Sequence, residues 1–300
     1  MRRFPPYGAI GEVVVNARPL DRFLADAGPV SEGQPAWEPS DGPVPALYLG
    51  HGAPPLLDDE PWMGELFDWA QSMPKPAGVL IVSAHWEAAP PNLTSPLADT
   101  PLVYDFSGFD PHYYRLTYPT PGAGALAAQV RSVMPAGQPV YVHPDRGLDQ
   151  GAWVPLTAMY PLGDVPVLQL SMPTLEPERL LRMGELLRPL REEGVLIVGS
   201  GFMTHGLPYL TLENMNGPGS PPAWSREFDA WAAAALAKGD VDTLAAFRDL
   251  APGMPYAHPT IEHYSPIFVT LGAATTPGSP VETTVEGFWW GLSKRSFQVT

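Results

Sequence analysis

The chain contains no cysteine among its 300 residues. This absence excludes disulfides, cysteine nucleophiles and thiolate metal sites, so any bound metal ion must use nitrogen and oxygen ligands. Charged residues make up only 16% of the chain, and the formal net charge is −15. A surface of this sign repels nucleic acids and anionic lipid head groups, so we expect neither as a partner. An anionic substrate would need a local arginine to meet it.

Long apolar runs are also missing. No stretch approaches the roughly 18 consecutive apolar residues of a membrane span. The first residues, MRRFPP, are basic, but no apolar segment follows them as it would in a signal peptide. We therefore expect a cytoplasmic protein with no membrane partner. The sequence gives no basis for predicting its oligomeric state.

Strand-like and helix-like segments alternate along most of the chain. The near-continuous apolar runs at 78–84 and 195–199 are typical of buried parallel strands. Alternation of such strands with helices predicts one α/β domain with a mostly parallel sheet. Residues 1–44 are predicted to be an N-terminal extension, with one short helix at 20–27, and residues 45–300 to be the catalytic domain.

A long loop and several further helices and strands are also predicted. The segment 89–122 is rich in proline, tyrosine, aspartate and glycine, and it is predicted to be a long surface loop, which in compact domains is usually functional. Further helices are predicted at 61–71, 124–133, 154–160, 177–192, 223–238, 241–250 and 260–271, and further strands at 46–50, 139–142, 165–170, 283–287 and 296–299.

Four of the seven histidines stand at the ends of these elements. His51 and His85 directly follow apolar runs, His205 lies a few residues beyond a third run, and His258 precedes a helical pattern. Ligands of α/β proteins bind at the carboxyl ends of the strands, and neutral imidazole is the commonest protein metal ligand. The pattern predicts that the four imidazoles gather around one cation at the edge of the sheet.

Other catalytic patterns are weaker. Ser83 and Ser200 lie near histidines in the sequence, but neither is part of a GxSxG nucleophile elbow. No GxGxxG or Walker pattern indicates a nucleotide site.

Seven stretches resemble, in order, the LigB-type (class III) extradiol ring-cleavage dioxygenases, and in particular their DOPA 4,5-dioxygenase branch. The resemblance extends from about residue 46 to the C-terminus and implies a single α/β domain with a central, mostly parallel mixed sheet flanked by helices. The stretches are YLGHGAP (48–54), SAHWE (83–87), YDFSGF (104–109), YPTPG (118–122), DRGLDQGAWVPL (145–156), GSGFMTH (199–205) and AHPTIEH (257–263).

The resemblance also implies a site. It makes His51, His85 and His258 the metal ligands and His205 the acid/base beside the metal. The metal expected for activity is Fe(II), with Zn(II) as a possible bound ion. The substrate implied is a small catechol-type aromatic compound that is cleaved with dioxygen.

One residue departs from the family pattern. Gln150 stands where the family normally has a histidine that helps to handle substrate or dioxygen. Glutamine donates and accepts hydrogen bonds but does not titrate, so acid/base assistance from this position is lost.

Five further residues are candidates for substrate binding. Tyr104, Phe106 and Trp153 are predicted to line a ring-sized pocket, with core packing as the alternative role for each. Arg146 is a candidate partner for a substrate carboxylate, and a structural ion pair is its alternative. His263 is predicted to orient the site by a hydrogen bond or to pack beside it.

Three functions follow from these residues. The first is metal-dependent extradiol cleavage of a catecholic ring with dioxygen. The second is a zinc-dependent hydrolase that uses the same ligands and a metal-bound water. The third is a non-catalytic metal-binding relative, which Gln150 favours. Oxygen consumption with a panel of catechols separates the first function from the other two.

Overall fold

A six-stranded mixed sheet forms the centre of the protein. The computed structural model describes residues 17–211, 213–214 and 221–300. Four adjacent strands are parallel to one another, and the fifth strand pairs antiparallel with both of its neighbours, so the sixth runs in the same direction as the first four. In spatial order the strands are β5 (Val167–Gln169), β2 (Gly78–Ser83), β6 (Val195–Gly201), β1 (Ala46–Gly50), β10 (Ser296–Val299) and β7 (Thr283–Val285). The predicted mostly parallel mixed sheet is therefore confirmed.

Helices cover both faces of this sheet. Alternate strand residues enter opposite cores, as in β2, where Leu80 and Val82 belong to one core and Val79 and Ile81 to the other. Burial on both faces explains why the strands read as continuous apolar runs. The helices are α1 (Pro19–Glu32), α2 (Glu60–Gln71), α3 (Gly124–Val133), α4 (Gln150–Met159), α5 (Pro177–Leu187), α6 (Ala223–Leu236), α7 (Val241–Ala245), α8 (Phe247–Leu250) and α9 (Pro266–Gly272).

Two small pairs of strands lie outside the main sheet. A parallel pair joins β3 (Asn92–Leu93), within the predicted loop 89–122, to β4 (Tyr141–Val142). A hairpin joins β8 (Phe288–Trp289) to β9 (Leu292–Ser293).

Helix boundaries differ from prediction where capping or proline decides them. Helix α4 begins at Gln150, four residues earlier than predicted, because the Asp149 carboxylate caps it by accepting from the Gly151 amide at 3.1 Å. Helix α5 ends at Leu187 and continues as a 3-10 helix over Arg188–Glu193, which contains Pro189. The helix predicted at 260–271 starts only at Pro266, and residues 259–265 form turns.

The described part of the N-terminal segment packs against the domain. Phe23 of α1 meets Phe67 of α2 edge to face at 5.8 Å, and Leu20 and Val44 lie in the same core as Trp62. Residues 1–16 lie outside the described part, and the division into an extension at 1–44 and a domain at 45–300 stays a prediction. Within the described residues, every helix is too short or too polar to cross a bilayer.

Candidate metal centre

Parallel strands bring two histidines to the same edge of the sheet. His51 follows β1, and its backbone N–H donates to the Gly201 carbonyl of β6 at 3.0 Å, which extends the ladder by one residue. His85 follows β2, the neighbour of β6 on the other side. The Nε2 atoms of His51 and His85 lie 3.1 Å apart.

A third histidine arrives from the turns before α9. The carbonyl of His263 accepts the backbone N–H of Phe202 at 2.9 Å, so this turn lies directly on the end of β6. A Cβ atom at Gly201 would lie 2.0 Å from the His263 carbonyl oxygen, and therefore only glycine permits this approach. Ligand nitrogens of His51, His85 and His263 all lie within 4.8 Å of one another.

Each of the three rings is held by a partner at its other nitrogen. Nδ1 of His51 lies 2.9 Å from Ser200 Oγ. Nδ1 of His85 lies 2.8 Å from Asp105 Oδ2, and Nδ1 of His263 lies 3.0 Å from Glu262 Oε1. Such partners fix the tautomer and the ring orientation of metal-binding histidines. They leave Nε2 of each ring for the space that the three share.

Burial and mutual repulsion keep two of these imidazoles neutral. Burial, followed by the charge of His85, holds the pKa values of His51 and His263 well below the ordinary value. Burial also acts to lower the pKa of His85, but the hydrogen bond to Asp105, together with the charges of Asp149, Asp105 and Glu262, outweighs it and the pKa is raised. A more basic nitrogen is a stronger donor to a cation.

This donor set suits a divalent metal ion. Two nitrogens bound at about 2.0–2.1 Å to one zinc ion lie roughly 3 Å apart, which agrees with the distance between His51 and His85. Three imidazoles also resemble the facial ligand sets of non-haem iron and zinc sites that keep open positions. The residues therefore fit either ion.

The predicted set of three ligands needs a correction at His258. The Nε2 atom of His258 lies 2.9 Å from the Met203 carbonyl oxygen, and His258 is not among the histidines whose ligand nitrogens lie within 4.8 Å of one another. Its ring packs between Phe228 and Tyr264, with centroid distances of 5.0 and 5.3 Å, and burial lowers its pKa to about 4. Because residues 259–265 form turns and not the predicted helix, His263 reaches the cluster and His258 turns into the core.

His205 lies beside the cluster, as its predicted acid/base role requires. Its ring stacks on that of His263 with a centroid distance of 3.4 Å and an interplanar angle of 12°. Burial, and next the charge of His263, hold the pKa of His205 well below its ordinary value. A neutral imidazole that faces the same cavity can accept a proton from a bound ligand.

Gln150 reaches the cluster from the first turn of α4. Its Nε2 atom lies 3.2 Å from Nε2 of His85, while its Oε1 atom is buried without a partner. The helix start approaches β2 closely, since a Cβ atom at Gly151 would lie 2.2 Å from Ser83 Oγ. Ser83 in turn donates to the capping carboxylate of Asp149 at 2.9 Å.

Sequence reasoning missed Asp105, which comes from the long loop and orients His85. The Oδ1 atom of Asp105 also lies 3.5 Å from the Gln150 backbone nitrogen. A lone aspartate in a loop has no spacing that marks it, although it belongs to the stretch YDFSGF.

The cluster forms the floor of a cavity of about 310 Å³, at the small end of the roughly 300–1,000 Å³ usual for small-molecule sites. Its walls are mainly aromatic and aliphatic. The lining residues are His51, Gly52, Ala53, His85, Asp105, Phe106, Ser107, Phe109, Gln150, Phe202, His205, Leu207, His263, Trp289, Trp290 and Leu292.

The predicted substrate residues divide into two groups. Phe106 and His263 line the cavity, whereas Tyr104, Arg146 and Trp153 do not. Tyr104 donates its hydroxyl to the Leu116 carbonyl at 2.6 Å, and Trp153 is a core residue with 1% exposure. The Arg146 guanidinium lies 4.5 Å from the centre of the Trp86 ring and pairs with Asp149 at 3.2 Å. Arg146 therefore forms a structural ion pair, the alternative to its predicted contact with a substrate carboxylate.

Asp105 is open to a direct test. Replacing it with alanine removes the partner that holds the His85 ring, so we expect metal affinity to fall by about 10–100-fold, the usual effect of losing such a partner. The measurement is a competition titration with a chelator. The matched control is Asp110→Ala, because Asp110 is in the same loop but bonds to His112. Equal affinities of both variants would contradict an orienting role for Asp105.

Comparison with known proteins agrees with the fold and identifies the family. The family model described as the catalytic LigB subunit of aromatic ring-opening dioxygenase matches residues 61–288. The chain belongs to the LigB family of aromatic ring-opening dioxygenases. The predicted family and enzyme class are therefore confirmed.

Several relatives cover most of the chain. A protein of Beta vulgaris named 4,5-DOPA dioxygenase extradiol is 36% identical over 242 residues, which are 76% of this chain and 86% of the relative. A protein of the same name from Escherichia coli K12 is 34% identical over 265 residues, or 85% and 94% of the two chains. The crystal structure of an uncharacterized protein, JW3007, from Escherichia coli K12 has a TM-score of 0.70 and 32% identity, and the match covers 85% of this chain and 99% of that one.

Proposed function

We propose that this protein cleaves a catecholic ring outside its diol with dioxygen, and that His51, His85 and His263 hold the Fe(II) required. Zn(II) is the alternative ion for the same ligands. The observation that carries the proposal is the convergence of three oriented imidazoles on the floor of an aromatic cavity. When bound, Fe(II) supplies a Lewis-acidic centre for catechol oxygens and the redox chemistry that activates dioxygen.

The side chains around the ligands have separate roles in this proposal. His205 accepts a proton from a catechol hydroxyl as the substrate binds, because it lines the same cavity beside His263. Ser200, Asp105 and Glu262 keep the three ligand rings in register. Gln150 donates a hydrogen bond toward the reacting groups but does not move a proton.

The aromatic wall serves orientation and water exclusion. Phe106 and Phe202 flank the space above the histidines, where a flat ring packs well against aromatic side chains. The names of the relatives from Beta vulgaris and Escherichia coli support a catecholic substrate as the class.

The test begins with protein reconstituted anaerobically with Fe(II). Addition of a catechol and oxygen should consume one equivalent of dioxygen per substrate and give a yellow, ring-opened semialdehyde. The Zn(II)-loaded protein is the matched control and should consume none. Failure of every member of a catechol panel to support oxygen uptake would overturn the proposal. Hydrolytic activity of the zinc form without oxygen would favour the hydrolase instead.

The non-catalytic alternative rests on Gln150. If this residue limits the reaction, Gln150→His should raise kcat by at least about tenfold, because a positioned acid/base contributes typically 10²–10⁴-fold. The measurement is steady-state oxygen uptake at a saturating catechol concentration. Gln150→Leu is the control, since it alters the same contact to His85 without adding a titratable group. An unchanged kcat in Gln150→His would show that this position does not limit turnover.

A further inference from the structure

We propose that the cavity selects catechols whose ring carries an uncharged, apolar substituent, and that Trp289 and Trp290 contact this substituent. The inference rests on the proposed function, because it names the substrate class of the same site. It is carried by the charge of the lining and by the hairpin that holds the two tryptophans.

Beyond the metal centre, the described cavity lining offers no basic side chain to neutralise an anionic substituent. Among the described residues, its lining contains neither lysine nor arginine, and its one carboxylate is Asp105. Arg146, the candidate partner for a substrate carboxylate, lies over Trp86 and is bound to Asp149. A carboxylated substituent would therefore lose water without gaining an opposite charge, in a protein whose net charge is −15.

The basic residues that follow the hairpin are also engaged elsewhere. Lys294 bonds to Glu65 at 3.2 Å. Arg295 is paired with Asp229 at 2.8 Å and with Glu286 at 2.9 Å. Neither lines the cavity, and moving Arg295 toward it would leave the largely buried carboxylate of Asp229 without an opposite charge.

The walls above the histidines are apolar and come from two sides. Phe106 and Phe109 belong to the long loop, while Trp289 and Trp290 belong to the hairpin of β8 and β9. The two indoles stack with a centroid distance of 3.9 Å and an interplanar angle of 16°. The Phe109 ring lies 6.2 Å from Trp290, so the two walls meet. An alkyl or aryl substituent would be covered by aromatic surface there.

The backbone conformation of the hairpin indicates that Trp290 has a functional role at this position. Trp290 has a φ of +52° and Gly291 a φ of +80°, values at which a two-residue hairpin normally carries Asn-Gly. A bulky residue with positive φ is an outlier, and such strain concentrates at ligand-binding positions. The strained turn directs the indole of Trp290 into the cavity lining, which an Asn-Gly turn would leave open.

A matched pair of catechols tests the charge argument. 4-Propylcatechol and 3-(3,4-dihydroxyphenyl)propionate have side chains of the same length, and they differ in a terminal methyl against a carboxylate. With the Fe(II)-reconstituted protein we expect kcat/KM to be at least tenfold higher for 4-propylcatechol. Binding to the metal-free protein, followed by tryptophan fluorescence, should show the same order. Equal values, or a preference for the acid, would overturn the proposal.

A hairpin variant tests the contact. Trp290→Asn keeps a residue that tolerates positive φ but removes the indole. Because each buried methylene is worth about fourfold in affinity, the preference for 4-propylcatechol over unsubstituted catechol should fall at least fourfold. Tyr141→Ala is the control, since Tyr141 is an exposed aromatic residue on β4 outside the cavity lining. A preference that stays the same in Trp290→Asn would refute the contact.

The two proposals fail in different ways. If no catechol supports oxygen uptake, the proposed ring cleavage is wrong, but the fluorescence titration still measures which substituent the cavity prefers. If both members of the pair are cleaved equally well, ring cleavage stands and the selectivity is wrong.

Discussion

His263→Ala should lose its bound metal ion. His263 is one of three histidines whose ligand nitrogens lie within 4.8 Å of one another, and two ligands alone would leave the ion largely hydrated. Loss of a residue that only hydrogen-bonds to a metal ligand typically lowers metal affinity by about 10–100-fold. Because His263 is itself a ligand, we expect metal affinity to fall by more than about 100-fold. Metal content after reconstitution and desalting, measured by mass spectrometry, gives the result.

His258→Gln is the decisive comparison for this variant. His258 bonds to the Met203 carbonyl and packs against Phe228 and Tyr264, so its replacement should affect stability and leave the metal content close to that of the unchanged protein. Circular dichroism on both variants checks that each is folded. A folded His258→Gln protein without metal, together with a metal-loaded His263→Ala protein, would reverse the assignment.

His205→Gln should retain the metal but lose most of its activity. Glutamine keeps a hydrogen-bonding group of similar size beside His263 but accepts no proton at neutral pH. Since positioned acid/base groups contribute typically 10²–10⁴-fold, we expect kcat to fall by about that factor. Stopped-flow or steady-state oxygen uptake with a catechol measures it, and metal content is determined on the same sample.

A histidine outside the cavity provides the control for His205. His112 bonds to Asp110 in the long loop and does not line the cavity, so His112→Gln should leave kcat close to that of the unchanged protein. If His205→Gln also kept its kcat, proton transfer in this site would have to involve another group. Loss of metal from His205→Gln would instead make His205 a ligand.

Much of the sheet was predictable because its strands are buried on both faces. Runs such as 78–84 and 195–199 are almost continuously apolar, and they correspond to β2 and β6. Helix ends were less predictable, because they depend on single groups such as the Asp149 cap of α4. In the segment before α9, proline marks the true helix start at Pro266, but the tight turns ahead of it have no periodic pattern.

Local sequence therefore determined that His51 and His85 reach one edge of the sheet, since each lies within two residues of the end of a strand and ligands bind at the carboxyl ends of parallel strands. Only the tertiary structure decided between His258 and His263. Five residues separate the two along the chain, and the close contact of the His263 carbonyl with Gly201 at the end of β6 directs one ring to the cluster and the other into the core. The positions of Asp105 and of the tryptophan hairpin were likewise decided only by the tertiary structure, because their roles depend on contacts between segments far apart in sequence.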